Sequence, residues 1–195
     1  HAVARSSPTS QEAEVATLRD AAAELADVAE TFDEASLEPA VEAIAGAHRV
    51  MLYGCGREGL MMRALAMRLH HLGLDVCMQG DMNAFPLGPG DLFLCAAGPG
   101  ELSTASALCG VAHEAGARVL VVTAEPEGAT SALADELLVI PAQTMANDIG
   151  SDAVLPMGSL FEGAMFLVFE VLVLRLREMI GETPESMRAR HTNME

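Results

Sequence analysis

Five short apolar runs, Arg49–Tyr53, Leu74–Met78, Asp91–Ala97, Arg118–Thr123 and Glu136–Ile140, alternate with stretches of helical periodicity at Glu58–Leu72, Glu101–Ala115 and Thr130–Ala134. Continuously apolar strands of this length need cover on both faces, and the intervening helices are what supplies it. The alternation predicts a three-layer α/β/α sandwich around a five-stranded parallel sheet. Ahead of the sheet, Leu18, Ala22, Leu25, Val28 and Phe32 continue a stripe that starts at Val15, and Leu37, Val41 and Ile44 mark a second, shorter helix. Behind it come a long loop ending at Met157, a helix over Ser159–Ile180 closed by Gly181, and a restart at Thr183-Pro184 leading to Arg190-His191. The expected organisation is one domain over 1–195: N-terminal helices in 1–46, the sheet core in 47–141, a loop in 142–157, and C-terminal helices and tail in 158–195.

Composition narrows the function classes. The net charge is −17, and the 11 positive residues are all arginines scattered along the chain, so binding to nucleic acid or to an anionic membrane is disfavoured. The absence of lysine excludes Schiff-base chemistry and a P-loop lysine. Cys55, Cys77, Cys95 and Cys109 sit in apolar segments without CxxC spacing, which reads as reduced thiols of a cytoplasmic protein and not as a metal site or disulfide framework. Gly163–Leu174 is apolar but short and interrupted by Glu170, so it reads as a buried helix and not a membrane span. The chain opens on His1 with no signal-like apolar core behind it, which reads as a remnant or a trimmed end.

In parallel sheets of this kind ligands bind beyond the carboxyl ends of the strands. Three segments converge there: Gly54-Cys55-Gly56-Arg57, Gly98-Pro99-Gly100, and the loop from Thr123 to Ser131. Gly98-Pro99-Gly100 lies between a strand and a helix, a geometry that holds anions on backbone N–H groups. Its flanking side chains are Ala97 and Leu102, and Pro99 removes a donor. The turn has the backbone of a phosphate cradle and few of its side chains.

GCGREGLMMRALAMRLHHLG (Gly54–Gly73), GPGD (Gly88–Asp91), LPMGSLFE (Leu155–Glu162) and RHTNME (Arg190–Glu195) occur in an order that resembles the sugar isomerase (SIS) domain, closest to the 6-phospho-3-hexuloisomerases. The resemblance implies a flavodoxin-like sheet order 2-1-3-4-5. It also implies ketose-ketose isomerisation of a sugar phosphate through an enediol, no cofactor or metal, and a homo-oligomer, either dimer or tetramer. It implies Glu162 and His191 as catalytic residues, the latter in a neighbouring subunit's site. Gly54, Gly56, Arg57, Gly98, Gly100 and Glu101 are the implied substrate-binding positions, and Ser103, Thr104 and Thr123 are added to them as nearby hydroxyls able to compensate for those missing from the turn. This chain departs from the family pattern where hydroxyls are expected, carrying Glu58, Ala97, Pro99 and Leu102.

The individual residues keep two readings each. Glu162 is a base that lifts a carbon-bound proton, or the last residue of an S-x-x-E capping box opened by Ser159. His191 assists ring opening, or belongs to a frayed tail. Arg57 clamps a phosphate, or pairs with Glu58 or Glu101 at the surface. Ser103, Thr104, Thr123, Thr130 and Ser131 are the hydroxyls available to replace those missing from the turn. His70 and His71 are adjacent on a helix and point to different faces. Phe161, Phe166, Phe169, Leu172 and Leu176 make the last long helix apolar around much of its girth, which predicts burial against a second subunit. Two function classes follow: a sugar-phosphate isomerase, or a carbohydrate-binding regulatory module that keeps the fold without the reaction.

Overall fold

In the computed structural model, which describes residues 16–150 and 152–194, the short apolar runs form one parallel sheet. His1, the polar stretch Arg5–Ser10, Val15 and Glu195 lie outside the described residues. The strands are β1 (Val50–Tyr53), β2 (Val76–Met78), β3 (Leu92–Ala96), β4 (Arg118–Thr123) and β5 (Glu136–Val139), in the order β2-β1-β3-β4-β5. Central β3 pairs with β1 through Val50↔Leu92 and with β4 through Leu92↔Arg118, and every residue of it is buried.

Alternate strand residues face opposite ways, and here that splits the core in two. Leu52, Leu92, Leu94, Leu120 and Val122 turn to the side covered by α1 (Leu18–Thr31), α2 (Leu37–Ala45), α3 (Gly56–His71), α5 (Ser159–Ile180) and α6 (Pro184–Ala189). Met51, Phe93, Cys95, Val119 and Val121 turn to α4 (Ser103–Glu114), meeting Ala105, Cys109 and Ala112. The small residues on α4 let it lie close against Phe93. These are the three expected layers.

Element ends follow local chemistry. α1 begins behind a Thr17–Asp20 capping box. α3 closes on Gly73 (φ 85°), with Gly73 N–H donating to His70 C=O and Leu74 N–H reaching back to Leu69 C=O. That closure uses Leu74, so β2 starts at Val76 and not at Leu74 as the apolar run suggests. α4 begins at Ser103 and not at Glu101, because Gly100 (φ 77°) turns the chain and Leu102 stays extended with its N–H given to Thr130 Oγ1 (3.0 Å). The helical pattern at Thr130–Ala134 amounts to one 3-10 turn, Ser131–Leu133.

The sheet is pinned at the amino end of β3 by Asp91, whose side chain is 2% exposed. Its carboxylate accepts from Arg49 Nε (3.2 Å), Arg49 Nη2 (2.7 Å) and Gly88 N–H (2.9 Å), while the Arg49 guanidinium lies 4.5 Å from the Phe85 ring centre. The Arg49 hydrogen bonds hold the Asp91 carboxyl below its ordinary range. Asp91→Ala is expected to cost about 2–3 kcal/mol in urea unfolding. Because the folded-state pKa is depressed, this stabilisation is present above the unfolded carboxylate value and disappears as pH falls through the folded one. The wild-type and variant stabilities therefore converge in acid.

On α5, Phe161, Phe169, Leu172 and Leu176 are buried within the chain, whereas Phe166 (50% exposed), Leu167 and Leu174 stay open to solvent. Among the described residues no helix is long and apolar enough to cross a membrane.

Candidate active site

The carboxyl end of β1 turns directly into α3 at Gly54–Gly56. Gly59 of α3 packs onto that turn so closely that a Cβ there would lie 2.5 Å from Gly54 C=O. This contact aims the first turn of α3, with Arg57 and Glu58, across the top of the sheet. Facing it is the start of α5, capped by Gly158 in a left-handed conformation (φ 80°). Between them lies a cavity of about 510 Å3 lined by Gly56, Arg57, Glu58, Phe161 and Glu162, with Pro99 and Leu102 from the β3–α4 turn and Thr144, Met145, Pro156 and Met157 from the loop after β5.

That loop is built and held, as its length suggests for a functional segment. Val154 and Leu155 N–H donate to the Glu24 carboxylate of α1 (2.6 and 2.9 Å). Met157 N–H donates to Asp148 Oδ2 (2.9 Å), and Met157 itself takes a positive φ of 57°, which is uncommon outside glycine. Arg57 ties the loop to the helix: Nε meets Glu162 Oε2 at 2.9 Å, Nη1 donates to Ser159 Oγ at 2.9 Å, and Nη2 donates to Met157 C=O.

These contacts revise several sequence expectations. Glu162 is not part of a capping box: Gly158 occupies the cap position, Ser159 is the first helical residue, and Glu162 turns its carboxylate to Arg57 in the cavity. Arg57 pairs with Glu162 instead of Glu58 or Glu101. Three of its five donors are spent on protein, so only two remain for a ligand.

Thr123 is fully buried, and its hydroxyl faces Gly98 C=O (3.4 Å) and Glu125 (3.0 Å from its N–H, 3.3 Å from its C=O). Thr130 and Ser131 are likewise turned inward, Thr130 to Leu102 and Ser106, Ser131 to Glu125 C=O. These three hydroxyls shape the turn and do not reach the cavity. Gly100 backs onto Glu125 and Gly128. Glu101, Ser103 and Thr104 are exposed at the entrance to α4 and outside the cavity lining. Gly54 supports the cavity from behind through Gly59.

Glu58, a departure from the family pattern and a partner considered for Arg57, proves to be central. Its Oε2 accepts the Gly98 N–H at 3.0 Å. Burial raises its pKa to about 6, against the opposing Gly98 hydrogen bond and with added repulsion from Glu162. Burial also raises the Glu162 carboxyl, partly offset by Arg57.

His191 lies elsewhere. Its ring stacks on His71 at the far end of α3, 5.2 Å between centres, beside Arg177 and Arg188. Gly56 and His71 bound α3, so about 22 Å of helix separates His191 from the cavity in the same chain. His70 is exposed while His71 is buried, consistent with their different faces.

No family model matches the chain. The 3-hexulose-6-phosphate isomerase of Mycobacterium gastri is 34% identical over 172 residues, spanning 88% of this chain and 86% of that enzyme. A crystal structure of a Methanococcus jannaschii protein, inferred to be a 3-hexulose-6-phosphate isomerase, superposes with a TM-score of 0.79 at 20% identity over 91% of this chain and 98% of that one. The Vibrio vulnificus NanR protein complexed with ManNAc-6P gives a TM-score of 0.72 at 25% identity over 88% of this chain and 64% of that one. The sheet order and fold agree with the structural neighbours, and the identity to the mycobacterial enzyme runs through nearly the whole of both chains. The chain therefore belongs to the 3-hexulose-6-phosphate isomerase family of sugar isomerase (SIS) domain proteins.

Proposed function

We propose that this chain, as one domain over 1–195, interconverts a 3-hexulose 6-phosphate and fructose 6-phosphate. The observation that carries the reading is Glu162, 15% exposed, presented to a cavity at the carboxyl end of the sheet and oriented by Arg57. A ketone at C3 becomes a ketone at C2 when a base takes the proton from C2 and returns it at C3 by way of the 2,3-enediol, with a hydroxyl proton passing from O2 to O3. Glu162 is the base, and its upward-shifted carboxyl is the better proton acceptor for that shift. The two remaining Arg57 donors are available to stabilise the developing enediolate oxygen. His191, stacked on His71 at the far end of α3, serves the site of a neighbouring copy.

Assembly as a dimer or tetramer is supported by the open apolar positions Phe166, Leu167 and Leu174 on α5. A cytoplasmic location is supported by four free cysteines. The reaction calls for a small-molecule sugar phosphate and no cofactor.

The test is carbon-13 NMR of the protein incubated with fructose 6-phosphate in deuterated water. Appearance of 3-hexulose 6-phosphate, with solvent deuterium entering at the migrating position, is the expected result. Absence of both overturns the reading. A second reading, a carbohydrate-binding regulatory module without turnover, is favoured by the Gly98 amide being occupied by Glu58. Binding of fructose 6-phosphate with no isomerisation would select it.

A further inference from the structure

The three-residue turn Gly98-Pro99-Gly100 has no amide left to offer a ligand anion. Gly98 N–H donates to Glu58 Oε2 at 3.0 Å, Gly100 N–H donates to Ala97 C=O at 2.8 Å, and Pro99 has none. The Glu58 carboxylate is pressed onto the turn: a Cβ at Gly98 would lie 2.7 Å from Glu58 Oε1 and 2.7 Å from the Phe161 ring. We propose that Glu58 is a specificity-determining residue of this site, its carboxylate sitting on the Gly98 amide as a tethered anion that a ligand's phosphate must displace.

The proposal rests on the reading of the ligand as a sugar phosphate, and it adds what that reading lacks, an account of how the phosphate meets a site whose own acids outnumber its cations. Among the lining residues Glu58 and Glu162 face one arginine, Arg57, already paired to Glu162. A phosphate brought to Gly98 while Glu58 is ionised sets two anions against one N–H. Displacing Glu58, or protonating it, removes the conflict.

The titratable groups that act on Glu58 are Glu162 from α5 and the Cys95 thiol of β3, while Arg57 from its own helix and the Cys55 thiol line the same cavity. Of these, Glu162 pushes Glu58 toward its neutral form, and burial does so more strongly, to about 6. Phosphate binding therefore favours the protonated carboxyl, and wild-type affinity falls by up to about tenfold for each pH unit above that value. The ligand's own second ionisation, near pH 6, affects wild type and variant alike and cancels from their ratio.

Calorimetric titration of fructose 6-phosphate into wild type, Glu58→Gln and Glu58→Ser at pH 5.5 and 7.5 tests this without requiring turnover. Both variants are expected to bind at least tenfold more tightly than wild type at pH 7.5. The advantage of Glu58→Gln over wild type is expected to shrink toward one at pH 5.5. Equal or weaker binding by the variants at pH 7.5, with folding verified by thermal melts, overturns the proposal, as does an absence of binding in all three proteins. Glu58→Gln keeps the size of the side chain and decides the matter if Glu58→Ser unfolds. A loss of turnover with unchanged affinity also overturns it, since that result makes Glu58 a reacting group. Tightened binding in proteins that show no isomerisation leaves this proposal standing and removes the isomerase reading.

Discussion

Glu162→Gln is expected to lower turnover of fructose 6-phosphate by about 10²- to 10⁴-fold while changing KM little, the range that a positioned general base contributes. The amide keeps the size of the side chain and one acceptor for Arg57 but cannot take a carbon-bound proton. The rest of the site stays assembled, because Arg57 still donates to Ser159 Oγ and to Met157 C=O. Thermal stability changes little, since the lost charge interaction reaches an arginine that is 50% exposed and screened by water. The wild-type rate is expected to fall on the acid side as Glu162 takes up its proton, and burial moves that limb upward from the ordinary carboxylate range. The measurement is a pH series of kcat. A residual rate in Glu162→Gln within a few-fold of wild type at the plateau would remove Glu162 from the reaction and leave its contact with Arg57 as a purely structural tie.

How much of this was legible in the sequence varied with the range of the interaction that decides each feature. β4 matched its apolar run, and α5 has the ends expected from the helical pattern, with Gly158 and Gly181 on either side of it. Both are set by residues within or next to the element. β2 and α4 started later than their patterns suggested, because Leu74 was taken by the closure of α3 and Leu102 by Thr130, 28 residues downstream. The site shows the same division. Motif order singled out Arg57 and Glu162, yet not that they pair. Ser159-Leu160-Phe161-Glu162 has the composition of a capping box, and a left-handed Gly158 took the cap instead.

Side-chain direction was the least legible property. Thr123, Thr130 and Ser131 have the hydroxyls a phosphate loop needs, and all three face inward to brace the turn. Glu58 contacts Gly98 across 40 residues, so no local pattern announces it. The signal that was present was chemical: an acid where the family pattern has a hydroxyl.

Gly128→Ala is expected to be the most damaging single-methyl change in the molecule, costing about 3 kcal/mol or more in urea unfolding. The added Cβ would lie 2.1 Å from Gly100 O, 2.4 Å from its C and 2.5 Å from its Cα, and all three are backbone atoms with no rotamer to change. Gly100 cannot step aside cheaply. Its C=O accepts the Thr130 N–H at 2.9 Å, its N–H donates to Ala97 C=O at 2.8 Å, and its own φ of 77° is already in the left-handed region. Relief must therefore come from moving the whole β4–β5 loop away from the β3–α4 turn. That movement strains the Ala124 N–H to Gly98 C=O bond (3.0 Å) and the seat of Glu58 on the neighbouring amide. Gly110→Ala is the control, since a Cβ there meets nothing within 4 Å and the residue lies in the interior of α4. It should be neutral or stabilise by up to about 1 kcal/mol through helix propensity. If the two variants unfold at the same urea concentration, the close approach of Gly100 and Gly128 is not what fixes the turn.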